Sequence, residues 1–481
     1  MSEPTRSRAY LATMLTASGG TFLAMLDSTV TNLAVPNLHQ QFPTASVPGL
    51  SWVISGYAVM FAALLAPAGR LADALGRRRL FVLGVGLFTV ASLLCALAPN
   101  LEVLIATRVL QGAGAAAMIP ASLAILLLDG PADKRASSIG LWSASSAVAA
   151  AIGPSVGGVL VEWFDWRAVF VINLPFGVLL IVSALRRLAP SAAVSRDRVP
   201  DLLGTVLIAL GVGGLTLGVT EGGTWGWSNI RTLACIVLGV ASVLVALLRS
   251  RTSKVPAVDI SLWGNRAFSA TNVVSLFYGM AQYPFMLVGV LYVTDIWRYS
   301  ELQAGLSNTP GAFAASVAAL GLARLAPRFG GPRFAALFGL SAFLACNVWL
   351  MFGLTVQPAF VSLWLPAALL AGTGMGAATM GTSAAAAMSA PPIKFATSSG
   401  LNTTARQLGG ALGIAAMAVI LQNGTTATGT RGIGAYEQVY FFCSILLAVA
   451  LVVAALWVRL KVPAPAPKPV PAPASAAEAA A

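Results

Sequence analysis

Long apolar segments alternate with short polar connections along most of the chain. Each apolar segment is long enough to cross a bilayer as a helix, which takes about 20 residues. Several are rich in glycine and alanine, as closely packed membrane helices are. The pattern predicts an all-α integral membrane protein with fourteen transmembrane helices, at residues 10–35, 49–68, 79–98, 101–128, 137–161, 167–188, 202–220, 231–249, 268–293, 303–323, 333–354, 359–387, 397–421 and 437–458.

The amino-acid composition excludes a soluble fold. Of the 481 residues 57% are hydrophobic and only 9% are charged, whereas about 25% are charged in an ordinary soluble domain. The net charge of +13 does not indicate a nucleic-acid partner, because the basic residues lie in the short connections between apolar segments. All four cysteines lie within apolar segments, so the sequence predicts neither a disulfide framework nor a zinc site.

The distribution of Lys and Arg predicts the orientation in the membrane. With the N-terminus inside, 23 of the 29 basic residues are cytoplasmic, four are external and two, Arg108 and Arg406, lie within spans. Cytoplasmic connections carry an excess of basic residues, so this bias predicts that both termini are cytoplasmic. The many arginines and alanines favour a bacterial source, and we therefore expect a multi-pass protein of the bacterial cytoplasmic membrane.

An internal repeat divides the chain into two halves. Residues 111–114 are echoed by residues 371–374, and residues 140–153 by residues 400–413, both at an offset of 260. Six spans and two extra ones fit this offset, and parallel repeats of this kind bind cargo near the midplane, between halves that rock against each other. The predicted organisation is a cytoplasmic N-terminus (1–9), a six-helix bundle (10–190), a linker with two inserted helices (191–266), a second six-helix bundle (267–460) and a disordered Pro/Ala-rich cytoplasmic tail (461–481).

One carboxylate, Asp27, lies well inside an apolar segment, and such intramembrane acids mark ion or substrate routes. At 1.5 Å per residue it lies about 13 Å from the end of the first span, and Arg108 lies about 11 Å from the same face in the fourth span. The two are therefore at nearly one depth, where each charge needs a partner. The sequence predicts a proton-coupling pair, with a static buried pair that fixes helix packing as the alternative.

Two further stretches contain residues that favour a role in conformational change. In the connection of residues 69–79, Gly76 allows a tight turn, and Asp73, expected near the start of the third span, suits a positive helix end and the arginines around it. A charge latch at this cytoplasmic mouth is the functional interpretation. In the fifth span, Pro154 interrupts the helix while Gly153, Gly157 and Gly158 permit close approach, which together predict a bend where the half-bundle closes.

These stretches resemble motifs of the major facilitator superfamily, in the branch of fourteen-span drug:proton antiporters. Residues 26–36 resemble that branch's first-helix signature, and residues 69–79, with Gly69, Asp73, Gly76 and Arg77, its cytoplasmic-loop motif. Residues 108–114 (Arg108, Gln111, Gly112, Gly114) resemble the fourth-helix motif associated with proton transfer, and residues 153–158 the antiporter motif, with Ala149 where that motif usually opens with glycine.

The resemblance covers residues 10–458. Within this branch the chain is similar to streptomycete antibiotic exporters, such as methylenomycin-type resistance proteins. It implies a major facilitator fold, with two six-helix bundles and two inserted helices, and export of amphipathic compounds driven by proton entry. The other polar residues within spans are candidates for the substrate cavity: Asn32, Asn272, Gln282, Asn308, Asn402 and Arg406.

Arg406 lies near the midplane by its position in the thirteenth span, where it can meet a carbonyl or anionic group or donate to helix-end carbonyls. The lack of a second deep acid argues against a preference for dications. No catalytic or nucleotide-binding cluster is present in the sequence, so we expect no enzyme, no metal and no cofactor, with the proton gradient as energy source.

The expected partners are a small amphipathic substrate, protons and the lipid bilayer, with no nucleic acid, and a monomer as the working unit. Export of lipid or cell-wall material, and uptake by proton-coupled symport, are the alternative functions. The fifth-span motif disfavours symport.

Overall fold

The computed structural model describes residues 3–32, 38, 41–42, 47–129, 134–190, 201–253, 255–424 and 432–458. The predicted tail, residues 461–481, and the first part of the predicted linker, residues 191–200, lie outside the described residues.

Every predicted span is a helix or a pair of helical pieces, and the described residues contain no strand. We number the helices α1 (Glu3–Asn32), α2 (Val47–Leu75), α3 (Arg77–Ala96), α4 (Leu101–Leu128), α5 (Arg135–Trp163), α6 (Ala168–Val171 and Asn173–Arg187), α7 (Leu202–Trp225), α8 (Ile230–Thr252), α9 (Arg266–Asp295), α10 (Glu301–Leu325), α11 (Pro332–Gly353), α12 (Leu365–Met388, after a π-turn at Phe360–Trp364), α13 (Phe395–Asn423) and α14 (Ile433–Trp457).

Thirteen of the described helices are long and apolar enough to cross a membrane. The remaining one, α1, has 30 residues but is less apolar, because it carries Asp27 and several Ser, Thr and Gly residues. It packs against α4 and α5 inside the bundle, so it needs less apolar surface than a helix that faces lipid. Large apolar side chains such as Trp163 and Phe352 are exposed on the outside of the bundle, as a lipid-facing surface requires.

The helix packing repeats itself in the two halves of the chain. In the first half α4 packs between α2 and α3, and α1 packs on α5. In the second half α12 packs in the same way between α10 and α11, and α9 packs on α13. The inserted helices lie outside this repeat: α7 packs against α2 and α13, one from each half, and α8 packs against α7.

The halves join at the face that carries the α2–α3 connection, which we call the basic face. There α5 packs on α10 and α2 on α13, and buried side chains of both halves form one core. Gly140 and Gly400 permit this approach: a Cβ atom on Gly140 would lie 2.9 Å from the Ala319 carbonyl oxygen, and one on Gly400 2.5 Å from that of Leu65. Toward the opposite face each half has a separate core. This conformation is therefore closed at the basic face.

Three local expectations need correction. Helix α2 continues to Leu75, so Gly69 and Asp73 lie in its last turns, and Asp73 is not at the start of the next helix. Helix α7 continues to Trp225, so Glu221 is a second buried carboxyl group near the end of a span, which the predicted end at residue 220 had left out. A Cβ atom on Gly158 would meet nothing within 4 Å, so this glycine permits no close approach.

Gly400 packs closely against α2, whereas Gly158 has open space beside it. This difference allows a matched test of the closure at the basic face. Gly400→Val places branched carbons against the α2 backbone, and such overpacking costs about 1–3 kcal/mol. We expect a lower thermal unfolding temperature of the purified protein in detergent. Gly158→Val makes the same chemical change in open space and serves as the control. Equal losses in the two variants would contradict the packing described here.

Candidate functional site

Asp27 of α1 and Arg108 of α4 form a buried ion pair in the first half. The distance from Arg108 Nη1 to Asp27 Oδ2 is 2.6 Å, and the two side chains are 0% and 1% exposed. Both charges are thus taken out of solvent entirely, which is costly unless each is paired and hydrogen-bonded. The pair therefore needs the additional donors and acceptors that surround it.

Two amides complete the surroundings of the carboxylate. Gln111 Nε2 and Asn173 Nδ2 each donate to Asp27 Oδ1 at 2.7 Å, and Gln111 Oε1 accepts from Arg108 Nη1 at 2.6 Å. Ser92 also binds both amides, since its hydroxyl oxygen accepts hydrogen bonds from Asn173 Nδ2 at 2.9 Å and from Gln111 Nε2 at 3.2 Å. Four helices, α1, α3, α4 and α6, therefore converge on one carboxylate.

The remaining surface of the guanidinium is covered by α2 and α6. Arg108 Nε donates to the Val53 carbonyl oxygen at 3.0 Å, and the guanidinium carbon lies 4.3 Å from the centroid of the Tyr57 ring. The Phe170 ring lies on it at 5.7 Å. Aromatic faces stabilise a cation most strongly where water is excluded. The Arg108 guanidinium is consequently stabilised on several sides, by contacts with one carboxylate, one backbone carbonyl oxygen and two aromatic rings.

The local sequence explains how α4 reaches this position. Arg108 and Gln111 are three residues apart, so they share one face of the helix. Gly112 and Gly114 bring that helix close to its neighbours: a Cβ atom would lie 2.5 Å from the Tyr57 carbonyl oxygen at Gly112, and 2.6 Å from the Phe88 nitrogen at Gly114. The glycines of the predicted fourth-helix motif thus set the helix spacing, and its polar residues form the site.

Three residues of the site were not among the predicted site residues: Ser92, Tyr57 and Asn173. The signal for Asn173 was available, because an amide in an apolar span needs a partner just as Asp27 does. Its placement follows from a break in α6 at Ile172, after which Asn173 begins the second helical piece. Ser and Tyr are common in membrane helices, so nothing in the sequence marks Ser92 or Tyr57 as site residues. Their role depends on which helices pack together.

The predicted antiporter motif on α5 faces α1 close to Asp27. A Cβ atom on Gly153 would lie 2.7 Å from Cβ of Thr29, two residues beyond Asp27. Pro154 lies within α5, which continues as a helix on both sides of it. Gly153 therefore packs against α1, the helix that carries the carboxylate, whereas an added Cβ atom on Gly158 would meet only open space.

At the basic face, Asp73 joins the two halves. Its carboxylate accepts hydrogen bonds from the backbone N–H groups of Ala396 and Thr397, at 3.3 and 2.8 Å, and from the Thr397 hydroxyl at 2.5 Å. These N–H groups belong to the first turn of α13, which favours negative charge. Asp73 therefore does meet a positive helix end, but that of a helix in the other half. Arg77 pairs with Asp129 at 2.5 Å within its own half.

A second charged contact at this face involves Asp259, in the segment between α8 and α9. Its Oδ2 lies 2.5 Å from Lys394 Nζ, just before α13, and 4.0 Å from Arg70 Nη1 of α2. Burial raises the pKa of the Asp259 carboxyl, but hydrogen bonds and charges from Lys394, Ser261 and Arg70 outweigh it and hold this pKa below its ordinary value. The segment after the inserted helices is thereby attached to both halves.

Comparison with known proteins places this chain in a family. A profile of the Major Facilitator Superfamily matches residues 17–414 and 273–480. The chain belongs to the major facilitator superfamily. It is 31% identical to the methylenomycin A resistance protein of Bacillus subtilis over 95% of this chain and 96% of that protein, and 31% identical to the cephamycin export protein CmcT of Amycolatopsis lactamdurans over 90% of each.

The fold of this superfamily member also matches a solved structure. The proton:xylose symporter XylE aligns over 94% of this chain and 96% of its own, with a TM-score of 0.66 and 14% sequence identity. At that identity the likeness concerns the fold alone. The expected all-α major facilitator fold is thus confirmed.

The predicted cavity residues of this facilitator have different surroundings. Asn272 and Asn308 donate to carbonyl oxygens one turn back in their own helices, at 2.9 and 3.0 Å, while Asn402 donates to the Ser275 hydroxyl at 2.8 Å and so links α13 to α9. Gln282 is half-buried on α9, and Asn32 ends α1.

Arg406 has a different environment from these amides. Its Nη1 is buried without a hydrogen-bond partner among the described residues. Its position on α13 therefore leaves a cationic donor available to another molecule. The described residues contain no cluster of three or more His, Cys, Asp or Glu side chains that could hold a metal ion.

The buried pair generates a stability prediction. Arg108→Leu leaves the Asp27 carboxylate enclosed without its cation, and breaking a buried pair in this way costs about 3–5 kcal/mol. The double variant with Asp27→Asn removes the uncompensated charge, so we expect it to unfold at a higher temperature than Arg108→Leu alone. Thermal unfolding in detergent measures the coupling. Additive losses in the three variants would contradict a direct interaction.

The contact of Asp259 generates a pH prediction. Because the pKa of this carboxyl is lower in the folded protein than in the unfolded chain, its ionised form stabilises the fold above its ordinary pKa, and this contribution is lost as the pH falls through the folded-state pKa. We expect Asp259→Asn to lower the unfolding temperature at pH 7, and the difference from the unmodified protein to diminish as the pH falls below the ordinary pKa of the carboxyl group. The control is Asp165→Asn, at a carboxylate that is 43% exposed. A difference independent of pH would refute this assignment.

Proposed function

We propose that this facilitator exports amphipathic small molecules in exchange for protons, by alternating access between its two halves. The observation that carries the proposal is the enclosed carboxylate of Asp27, held by one cation and two amides next to the seam between the halves. The names of its relatives, a methylenomycin A resistance protein and a cephamycin export protein, support export of antibiotics or similar compounds.

The proton step follows from the partners of Asp27. When the carboxylate is ionised it holds Arg108 and accepts from Gln111 and Asn173. Protonation removes the charge of Asp27 and weakens all three interactions, since charge-assisted hydrogen bonds are roughly twice as strong as neutral ones. Arg108 then retains the Gln111 and Val53 oxygens and the Tyr57 ring. The site thus has two states that differ by one proton and by the freedom of α1 relative to α4.

Proton exchange requires a second conformation. The Asp27 side chain has no exposed surface in this one, and Arg108 is covered by the ring of Tyr57, which lies on the helix that packs against α13 of the second half. A shift of α2 against the second half would therefore move Tyr57 off Arg108 and open the site. This couples the rocking of the halves to access of the proton.

The contacts at the basic face act as the gate in this scheme. Asp73 latches the end of α2 to the first turn of α13, as the charge-latch interpretation requires, and the close packing at Gly140 and Gly400 holds the same face closed. Opening this face breaks the Asp73 hydrogen bonds and separates the shared core. The glycine-rich stretch of α5 with Pro154 is the proposed bending point, because α5 contributes to both the seam and the surroundings of α1.

The remaining assignments follow from the same proposal. The chain is a multi-pass membrane transporter, and we place it in the bacterial cytoplasmic membrane with the basic face and both termini inside. The domain boundaries at residues 190, 266 and 460 are those of the two bundles and the inserted pair. It needs no cofactor besides the proton gradient and works as a monomer. Export of lipid or cell-wall material is the second candidate, since α7 and α13 meet along a groove lined by apolar side chains such as Val219 and Ile414.

Asp27→Asn tests the proposed function. The amide keeps the shape of the side chain but cannot release a proton, so we expect proton-driven transport of fluorescent amphipathic compounds such as 9-anthroate and its primary amide in inverted membrane vesicles to fall at least tenfold. Asp165→Asn, at an exposed carboxylate, serves as the control and should retain transport. Unfolding temperatures establish that both variants are folded. Active transport by the Asp27→Asn variant would refute the assignment, and retained folding without transport excludes a merely static pair.

A further inference from the structure

One cation in the second half has no counter-charge. Arg406 lies in the middle of α13, and its Nη1 is buried without an acceptor among the described residues. No carboxylate of the described chain lies within ion-pair distance of it, although Arg108 in the first half has its carboxylate at 2.6 Å. An uncompensated cation at this depth is costly, and membrane proteins keep such groups where they bind something.

The polar groups around Arg406 do not neutralise it. The Tyr283 hydroxyl donates to Gln407 Oε1, and the Tyr278 hydroxyl lies 3.0 Å from the Met375 carbonyl oxygen, with Thr379 as a further partner. The hydroxyls of both tyrosines are therefore engaged by other acceptors, and neither compensates the charge of Arg406. The acids described in α9 and α14, Asp295 and Glu437, lie near the helix ends at the opposite face.

Arg406 lies close to the proton site but on the other side of the seam. The backbone of Arg406 packs against Gly279 of α9, where an added Cβ atom would lie 3.0 Å from the Arg406 carbonyl carbon. Arg108, across the interface between the halves, is covered by the Tyr57 ring and has its carboxylate at 2.6 Å, whereas Arg406 has none within ion-pair distance among the described residues.

We propose that Arg406 binds the acidic group of the cargo, so that the preferred substrates are small amphipathic anions: a carboxylate or sulfonate on an aromatic or alicyclic ring system. The inference rests on the proposed function and names its substrate class. The acidic group supplies the acceptor that Nη1 lacks, in a charge-assisted hydrogen bond, and the ring system packs on Tyr283, whose hydroxyl donates to the neighbouring Gln407. A cationic cargo would bring a second positive charge beside an uncompensated one.

This charge has a consequence for the energetics of exchange. Export of an anion and entry of a proton both move positive charge inward in effect, so a membrane potential that is negative inside drives both. With a cationic cargo the two charges would cancel. Export of an acid by this protein should therefore accelerate when an inside-negative potential is imposed in addition to a pH gradient.

The test uses matched probes that differ only in charge: 1-naphthoate and 9-anthroate, their primary amides, and the corresponding arylmethylamines. Equilibrium binding to the purified full chain in nanodiscs measures affinity, and proteoliposomes with an imposed pH gradient measure transport. The variants are Arg406→Gln, which removes the charge, Arg406→Lys, which keeps it, and Arg231→Gln, at an exposed position of α8, as the control.

We expect the acids to bind at least tenfold more tightly than their amides, and Arg406→Gln to abolish this difference while leaving the amides within twofold. Arg406→Lys should keep a preference for the acids, and Arg231→Gln should behave like the unmodified protein. Equal affinity for acids and amides, a preference for the amines, or equal losses for acid and amide in Arg406→Gln would each overturn the proposal. Acids that bind through Arg406 but do not move in response to the pH gradient would instead refute the proton-driven exporter and leave the binding site intact.

Discussion

The ion pair of Asp27 and Arg108 constrains the first half of this transporter more than any other interaction does. Neither charge is accessible to solvent, so the half-bundle has to supply each with partners from several helices at once. The carboxylate on α1 accepts hydrogen bonds from side chains of α4 and α6, Ser92 of α3 binds the two amides, and α2 supplies the ring that covers the guanidinium. Every contact of the carboxylate depends on the same negative charge, so in the proposed exchange a single proton weakens all of them together.

Small residues make this arrangement possible. In a bilayer the helices gain no hydrophobic driving force from packing against each other, so close backbone approach and polar contacts provide the association. Gly112 and Gly114 bring α4 against α2 and α3 at the ion pair, and Gly140 and Gly400 bring the two halves together at the basic face. The same type of contact therefore serves an interface within one half and an interface between the halves. The interface between the halves also carries the hydrogen bonds of Asp73.

The two halves share an architecture but differ in electrostatics. Their helices pack in the same order, yet the first half carries a compensated pair, whereas the second carries Arg406 with an unsatisfied donor. In the proposed exchange the proton and the acidic cargo therefore use different halves.

The sequence alone determined the number of spans, the repeat and the depth of Asp27 and Arg108, because apolar length, spacing and helical rise are local properties of a chain in a bilayer. It did not place Asn173, Ser92 or Tyr57 at the carboxylate, and it assigned Asp73 to the start of α3 rather than to contacts with α13. Those residues belong to helices far apart along the chain, and only the packing of the helices decides which polar side chains meet. The closure at the basic face and the missing acceptor of Arg406 likewise depend on which surfaces the two halves present to each other.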